Sequence, residues 1–175
     1  MKNEIKYNAS DEVKEKICLW QSWLRDERRY SVHTLDAYAR DLSLFLNFLS
    51  EYNNKTATLK ALQKADVRTF RAFLSNRNAK CIEKSSTARE ISALKNFYYW
   101  LSKNNIIDNT ALSIIYMPKQ GKYRPKAIDV DDTFNVLDIA KDFSKQEWQG
   151  LRDVAILTIL YGCGLRNSEA LSLNM

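Results

Sequence analysis

The stretch STAREISALKNFYYWL, residues 86–101, decides the fold class, because its apolar side chains recur every three or four residues. That spacing predicts a long amphipathic helix with one buried face. The buried face consists of Ile91, Leu94, Phe97, Tyr98 and Leu101. The helix is expected to begin near Ser85–Thr87, where Thr87 and Glu90 have the spacing of a capping box.

Three further amphipathic helices are predicted upstream of this one. They cover residues 11–27, 31–52 and 66–78. Ser31 and Asp66 stand at the N-cap positions of the second and third helices. Four such helices joined by short polar loops predict a small all-α bundle, and the low content of four glycines and two prolines agrees with it. Asp41 and Arg77 are expected on the helix faces that point away from the core.

Basic residues are unevenly distributed along the chain. The formal net charge is +6, and residues 111–126 contribute four basic residues and no acidic one. Nine basic and three acidic residues lie between Lys64 and Lys103, whereas residues 127–175 contain four basic and eight acidic ones. A basic front half with an acidic tail is compatible with nucleic-acid binding, although many basic proteins bind nothing specific.

Basic and hydroxyl side chains cluster at the start of the predicted fourth helix, where the backbone amides already favour anions. Such groups are typical phosphate contacts, and the polar face of the second helix offers more of them. The candidate DNA-binding residues of these two helices are Ser31, His33, Thr34, Tyr38, Lys84, Ser85, Ser86, Thr87, Arg89 and Lys95. The alternative is an ordinary solvated face.

A basic linker follows, and it holds both prolines of the chain. We assign it to residues 109–127, between a helical domain at 11–108 and a second unit at 128–175. A plain tether between two domains would have the same composition. Its candidate DNA contacts are Lys119, Lys122 and Arg124.

The second unit is expected to open with a helix that Asp129 caps and that runs to about Ala140, followed by an apolar helix over residues 151–161. Two glycines then interrupt the helical pattern, and a new helix is expected to begin at Leu165 with Arg166 in its first turn. An arginine fork beside an apolar helix and a glycine hinge makes a good phosphate clamp, whereas most charged residues at helix ends are simply solvated.

Several of these segments resemble the tyrosine recombinases of the phage integrase family, in particular their Xer type. The segment GLRNSEAL at 164–171 resembles the first catalytic box, and PKAIDVDD at 125–132 resembles the junction that follows the interdomain linker. Residues 31–49 and 86–101 resemble the opening and the last helix of the core-binding domain. The resemblance implies a four-helix, SAM-like DNA-binding domain, a basic linker and the first helices of a catalytic domain.

The resemblance also implies a chemistry, in which duplex DNA is cut and rejoined through a 3′-phosphotyrosine without a metal or nucleotide cofactor. Arg166 would bind the scissile phosphate. Glu169 would either orient Arg166 or be an ordinary surface carboxylate. The family's lysine, His-x-x-Arg box and nucleophilic tyrosine belong downstream, yet no Lys, His or Tyr follows Arg166 before Met175. This chain is therefore expected to bind DNA without cutting it. The whole recombinase is expected to act in chromosome-dimer resolution and segregation, with a second subunit in a tetramer.

Other classes fit the sequence less well. Cys18, Cys81 and Cys163 are far apart and His33 is the only histidine, so the thiols are expected to be reduced in a cytoplasmic protein rather than to hold zinc. The first residues are polar, and no apolar run has the length of a membrane span. Two alternatives stay open: a regulatory DNA-binding module of recombinase ancestry without catalysis, and a helical protein-interaction domain whose basic face is incidental.

Overall fold

A computed structural model describes residues 5–116, 127–143 and 146–173. The chain divides into two compact units, Met1–Gly121 and Lys122–Met175. Within the described residues every regular element is helical, apart from one isolated parallel bridge between Ala9 and Ala57. The all-α fold expected from the sequence is confirmed.

The helices of the N-terminal unit are amphipathic, and their apolar faces meet in one core. In its described part they are α1 (Asp11–Asp26), α2 (Val32–Asn53), α3 (Leu59–Lys64), α4 (Val67–Ala79), α5 (Lys84–Lys103) and a 3₁₀ turn (Ala111–Ile114). The four long helices correspond to the four predicted ones, so the predicted fourth helix is α5. Helix α3 was not predicted, because six residues are too few for a periodic apolar pattern to emerge.

The N-caps predicted for α2 and α4 are both present. The Ser31 hydroxyl accepts a hydrogen bond from the amide of Thr34 at 3.2 Å, and an Asp66 carboxylate oxygen accepts one from the amide of Thr69 at 2.8 Å. The amide and hydroxyl of Thr69 lower the pKa of Asp66, because both donate to its ionised form. These caps fix where α2 and α4 begin.

The predicted capping box of α5 is wrong. Helix α5 begins at Lys84, so Thr87 and Glu90 lie inside it and both are buried. The Thr87 hydroxyl donates to the carbonyl oxygen of Glu83 at 3.2 Å, one turn back in the chain. Thr87 and Glu90 therefore have the spacing of a capping box but pack inside the domain and do not cap the helix.

The core of the N-terminal unit is built largely from aromatic rings. Phe45 of α2 stacks on Phe70 of α4 with ring centroids 5.5 Å apart, and Trp20 of α1 meets Phe97 of α5 edge-on at 5.1 Å. The indole nitrogen of Trp20 donates to the side-chain oxygen of Asn96 at 2.8 Å, so its burial leaves no donor unpaired. These contacts join α1, α2, α4 and α5 in one core.

Two carboxylates are buried at the edge of this core. Glu90 accepts hydrogen bonds from Arg77 of α4, and Asp41 accepts them from an arginine of α5. Each of the two carboxylate side chains is only 1% exposed. The expectation that Asp41 and Arg77 point away from the core is therefore wrong. Asp41 lies four residues before Phe45, and Arg77 four residues after Phe73, so both share a helix face with a core ring.

The described part of the C-terminal unit is a helical hairpin. Its helices are α6 (Val130–Phe143), α7 (Glu147–Cys163) and the short α8 (Asn167–Ala170). At Gly150 of α7, an added Cβ would lie 2.4 Å from the carbonyl oxygen of Lys141 in α6, so only glycine permits this approach. Among the described residues of this unit only Thr133 and Gly150 are buried, and none in the stretch 154–160 is.

The ends of the helices in this unit follow from local chemistry. Asp129 accepts a hydrogen bond from the amide of Asp132 at 3.1 Å, which is the predicted cap of α6. Helix α7 begins four residues before its predicted start and ends at Cys163, where it is capped by Gly164, whose φ of +62° suits glycine. Arg166 is the N-cap of α8, with extended backbone angles, rather than a residue of its first turn.

Candidate DNA-binding surface

The beginning of α2 is a polar, exposed helix end. Its first turn contains no acidic side chain, so the partial positive charge of the backbone amides is not offset there. The hydroxyl oxygens of Ser31 and Thr34 lie 3.0 Å apart and share a hydrogen bond. His33 is exposed beside them, while Thr34 is half-buried. This end of the helix can therefore present hydroxyls and an imidazole to an anion.

The beginning of α5 adds positive charge, next to the exposed carboxylate of its N-cap residue Glu83. Its first turn also lacks an acidic side chain, and Lys84 and Ser85 are exposed there. Ser86 is half-buried, and Thr87 is buried with its hydroxyl turned back to the preceding turn. Thr87 therefore does not belong to the exposed set, although the sequence placed it there.

Arg89 connects the two helices. Its Nε donates to one carboxylate oxygen of Asp41 at 2.9 Å, and its Nη2 donates to the other at 3.1 Å. The arginine side chain is 51% exposed, whereas that of Asp41 is buried. These hydrogen bonds and the attraction between the two charges raise the pKa of Arg89. Because Arg89→Ala would strand a buried carboxylate, we expect that substitution to cost stability as well as any ligand contact.

Tyr38 and Lys95 are both partly committed to the domain itself. The Tyr38 ring stacks on Trp20 at 6.3 Å, and burial raises the pKa of its hydroxyl. Lys95 Nζ donates to the carbonyl oxygen of Ile115 at 3.0 Å, just after the 3₁₀ turn. Lys95 thereby anchors the segment that leaves the domain, and Tyr38 supports the α1–α2 contact. Neither residue presents as free a group as Lys84 does.

In the C-terminal unit, Arg166 stands at the surface with one acidic neighbour. Its backbone amide donates to a Glu169 carboxylate oxygen at 2.8 Å, and its Nη1 donates to the other at 3.2 Å. The Arg166 side chain is 84% exposed. The pair brings together the two residues that the sequence analysis singled out in this segment, and it leaves most of the guanidinium accessible.

The linker residues Lys119, Lys122 and Arg124 lie outside the described residues. The described ranges contain no group of three or more His, Cys, Asp or Glu side chains able to hold a metal ion. Cys18, Cys81 and Cys163 are free thiols at the surface. None of the helices described is both long enough and apolar enough to pass through a membrane.

Asp41 is the functional candidate that the sequence analysis missed. It was assigned to the polar face of α2 because a carboxylate is usually solvated. Its spacing from Phe45 and Leu49, four and eight residues on, would have placed it on the core face. A charge on a core face needs a partner of opposite sign, which in this domain is Arg89.

The chain is similar to known proteins along most of its length. Residues 17–105 match the N-terminal SAM-like domain of the phage integrases. The tyrosine recombinase XerC of Rickettsia felis is 38% identical over 161 residues, which are 92% of this chain and 53% of the relative. XerC of Rickettsia prowazekii is 37% identical over the same shares, and XerC of Rickettsia bellii is 37% identical over 93% of this chain and 53% of its own. The chain thus spans about half the length of these relatives. No solved structure matches it.

Proposed function

This chain belongs to the phage integrase family of tyrosine recombinases, and from that premise we propose that residues 11–108 form its core-binding domain and bind duplex DNA. The observation that carries the proposal is the junction of α2 and α5, where Asp41 holds a half-exposed Arg89. Both helices begin without an acidic side chain in the first turn, and both expose polar groups there. The ends of two helices are thereby available to DNA phosphates.

The proposed contacts are mainly to the DNA backbone. Lys84 and Arg89 supply positive charge, and the hydroxyls of Ser31 and Ser85 supply neutral donors of the kind that phosphate oxygens accept. Such contacts set the position of a protein on DNA without reading its sequence. The linker cations Lys119, Lys122 and Arg124 are part of the same proposal, as further contacts to the backbone.

For the whole recombinase we propose strand cleavage and rejoining through a 3′-phosphotyrosine, in the service of chromosome-dimer resolution. Arg166 is the proposed ligand of the scissile phosphate, where charge accumulates in the transition state. Its contact with Glu169 supports an orienting role for that carboxylate. A second recombinase subunit, a tetramer on the DNA site and a cytoplasmic location belong to this proposal.

Within residues 1–175 the proposal assigns DNA binding and no cleavage. The family's nucleophilic tyrosine has no counterpart in this sequence, and Tyr161 precedes Arg166 instead of following it. A second candidate function is a regulatory module of recombinase ancestry that binds DNA through the same exposed ends of α2 and α5 and never cuts it. A longer product of the same gene that forms a covalent adduct with nicked DNA would exclude the regulatory module.

The test of DNA binding is a salt titration with a fluorescently labelled duplex. The logarithm of the affinity should fall linearly with the logarithm of salt concentration, by about 0.9 for each phosphate neutralised. Lys84→Ala should reduce that slope by roughly one contact. Lys60→Ala, at an exposed lysine of α3, is the control of equal charge and should leave the slope unchanged. An affinity that does not depend on salt, or no binding at low salt, contradicts the proposal.

A further inference from the structure

We propose that Asp41 is a positioning residue, which holds the guanidinium of Arg89 so that its outer edge is presented to a DNA phosphate. The inference rests on the proposed function and adds to it a residue that does not itself touch the DNA.

The donors of Arg89 divide into two sets. A guanidinium has five N–H donors in one plane. Asp41 occupies one on Nε and one on Nη2, at 2.9 and 3.1 Å. Within the described residues, neither the second N–H of Nη2 nor the two of Nη1 has a protein acceptor. Those remaining donors form the terminal fork of the side chain, which has the spacing that two oxygens of a phosphate accept.

The exposures of the two partners explain why the fork is fixed. The Asp41 side chain is 1% exposed, so its charge has lost nearly all contact with water and depends on Arg89. Releasing the arginine would strand a buried carboxylate, which holds the guanidinium in one orientation. Arg89 is 51% exposed, so its other side still faces solvent. The Arg89 side chain is therefore already held in the orientation that phosphate binding requires before DNA binds.

A second ion pair in the same domain serves as a matched control. Glu90 on α5 is as buried as Asp41 and accepts two hydrogen bonds from Arg77. The Arg77 side chain, however, is only 11% exposed, so this pair has no comparable outer edge. Neutralising either carboxylate raises the net charge by the same amount. Simple attraction to DNA predicts tighter binding for both variants, while positioning predicts weaker binding for Asp41→Asn alone.

The experiment measures the affinity of wild type, Asp41→Asn, Glu90→Gln, Arg89→Ala and the double variant Asp41→Asn/Arg89→Ala for one labelled duplex. All are compared at a temperature where circular dichroism shows each to be folded. Asp41→Asn should bind about two- to tenfold more weakly than wild type. Without the carboxylate, the Arg89 side chain is free before binding, and its conformational entropy is lost when DNA binds. Glu90→Gln should not bind more weakly. In the Arg89→Ala background, Asp41→Asn should cause no further loss.

Three outcomes overturn the inference. If the wild-type protein binds DNA and Asp41→Asn binds it equally well or better, Asp41 does not position Arg89. An equal loss from Asp41→Asn with and without Arg89 shows that Asp41 acts by another route. If Asp41→Asn does not fold, Arg89→Lys replaces it, because lysine keeps the charge and loses the fork; wild-type affinity for that variant also overturns the inference. A wild-type protein that binds no DNA at all refutes the proposed function itself.

Discussion

Arg77 and Glu90 form an ion pair with two hydrogen bonds that joins α4 to α5 inside the N-terminal unit. The Arg77 Nε lies 2.8 Å from one Glu90 carboxylate oxygen, and Nη2 donates to the other. With 11% and 1% of their side chains exposed, the two residues have exchanged most of their hydration for each other. The pair therefore acts as a fixed link between two helices, and each partner depends on the other.

Glu90→Ala should lower the free energy of unfolding by about 3–5 kcal/mol, because Arg77 is left as a charge with little access to water. Urea unfolding of the N-terminal unit, followed by circular dichroism, measures the loss. Glu83→Ala is the control, since that carboxylate is exposed and makes no cap hydrogen bond; its effect should stay within about 0.5 kcal/mol. Equal effects of the two substitutions would show that the ion pair has no structural role.

Tyr98 should make the domain sensitive to alkali. Its hydroxyl donates to the carbonyl oxygen of Leu62 at 3.0 Å, and burial raises its pKa well above the ordinary value of 10.0. The unfolded state therefore releases the tyrosine proton first as pH rises. Stability from this group is complete below about pH 10 and is lost above it, by up to roughly 1.4 kcal/mol per pH unit. Urea unfolding at a series of alkaline pH values measures the slope.

Tyr98→Phe is the matching control for this pH dependence. It should flatten the decline above pH 10, although not abolish it, because burial also raises the pKa of Tyr7 to about 12. Near neutral pH the substitution should cost only about 1 kcal/mol. The Leu62 carbonyl keeps a second donor, the side-chain Nδ2 of Asn109 at 3.1 Å. An unchanged alkaline slope in Tyr98→Phe would contradict the assignment.

Gly150→Ala should separate α6 from α7. A Cβ placed 2.4 Å from the Lys141 carbonyl oxygen meets backbone, which cannot rotate away, so a cost of about 1–3 kcal/mol is expected. The loss of packing between the two helices should appear as faster amide hydrogen exchange in residues 130–143 and 147–163. Gly162→Ala is the control on the same helix, because nothing lies within 4 Å of that position, and it should stabilise the helix by about 0.5–1 kcal/mol. The same exchange rates in both variants would argue against close packing at Gly150.

Much of the fold follows from local patterns in the sequence. The apolar residues from Ile91 to Leu101 predicted helix α5. Ser31 and Asp66 predicted the starts of α2 and α4, and the structure contains both. These features depend only on residues within a few positions of one another. Helix α3 escaped prediction for the opposite reason, because six residues owe their helical state to contacts with the rest of the unit.

The errors at Asp41 and Arg77 have one physical cause. Single-sequence reasoning assigns charged residues to solvent, since an isolated buried charge is costly. That cost is offset when a partner of opposite sign arrives from another helix, and the partner is remote in sequence: Asp41 and Arg89 are 48 residues apart. The apolar periodicity of the sequence could have placed each residue on a core face, but it could not identify the residue's partner on another helix. For Arg166 the sequence suggested a role through resemblance, and its phosphate contact stays a prediction.

In the whole recombinase that we propose, Arg166→Ala should abolish most DNA cleavage and leave DNA binding intact. One preorganised electrostatic donor is commonly worth about 10²–10³ in rate. Because its side chain is 84% exposed and, among the residues that the structure describes, pairs only with Glu169, its removal should cost little stability. The assay follows covalent protein–DNA adducts on a nicked suicide substrate, with Arg152→Ala, another exposed arginine paired to a neighbouring acid, as the control.

The same substrate tests the 175-residue chain alone. We expect no adduct, because Arg166 can stabilise charge on a phosphate but supplies no nucleophile, and no residue matched to the family's tyrosine is present in the sequence. Binding of the chain to the intact duplex, measured in parallel, ensures that a negative result reflects missing chemistry rather than missing contact. A covalent adduct from this chain would contradict the assignment and direct attention to Tyr161, the exposed tyrosine five residues before Arg166.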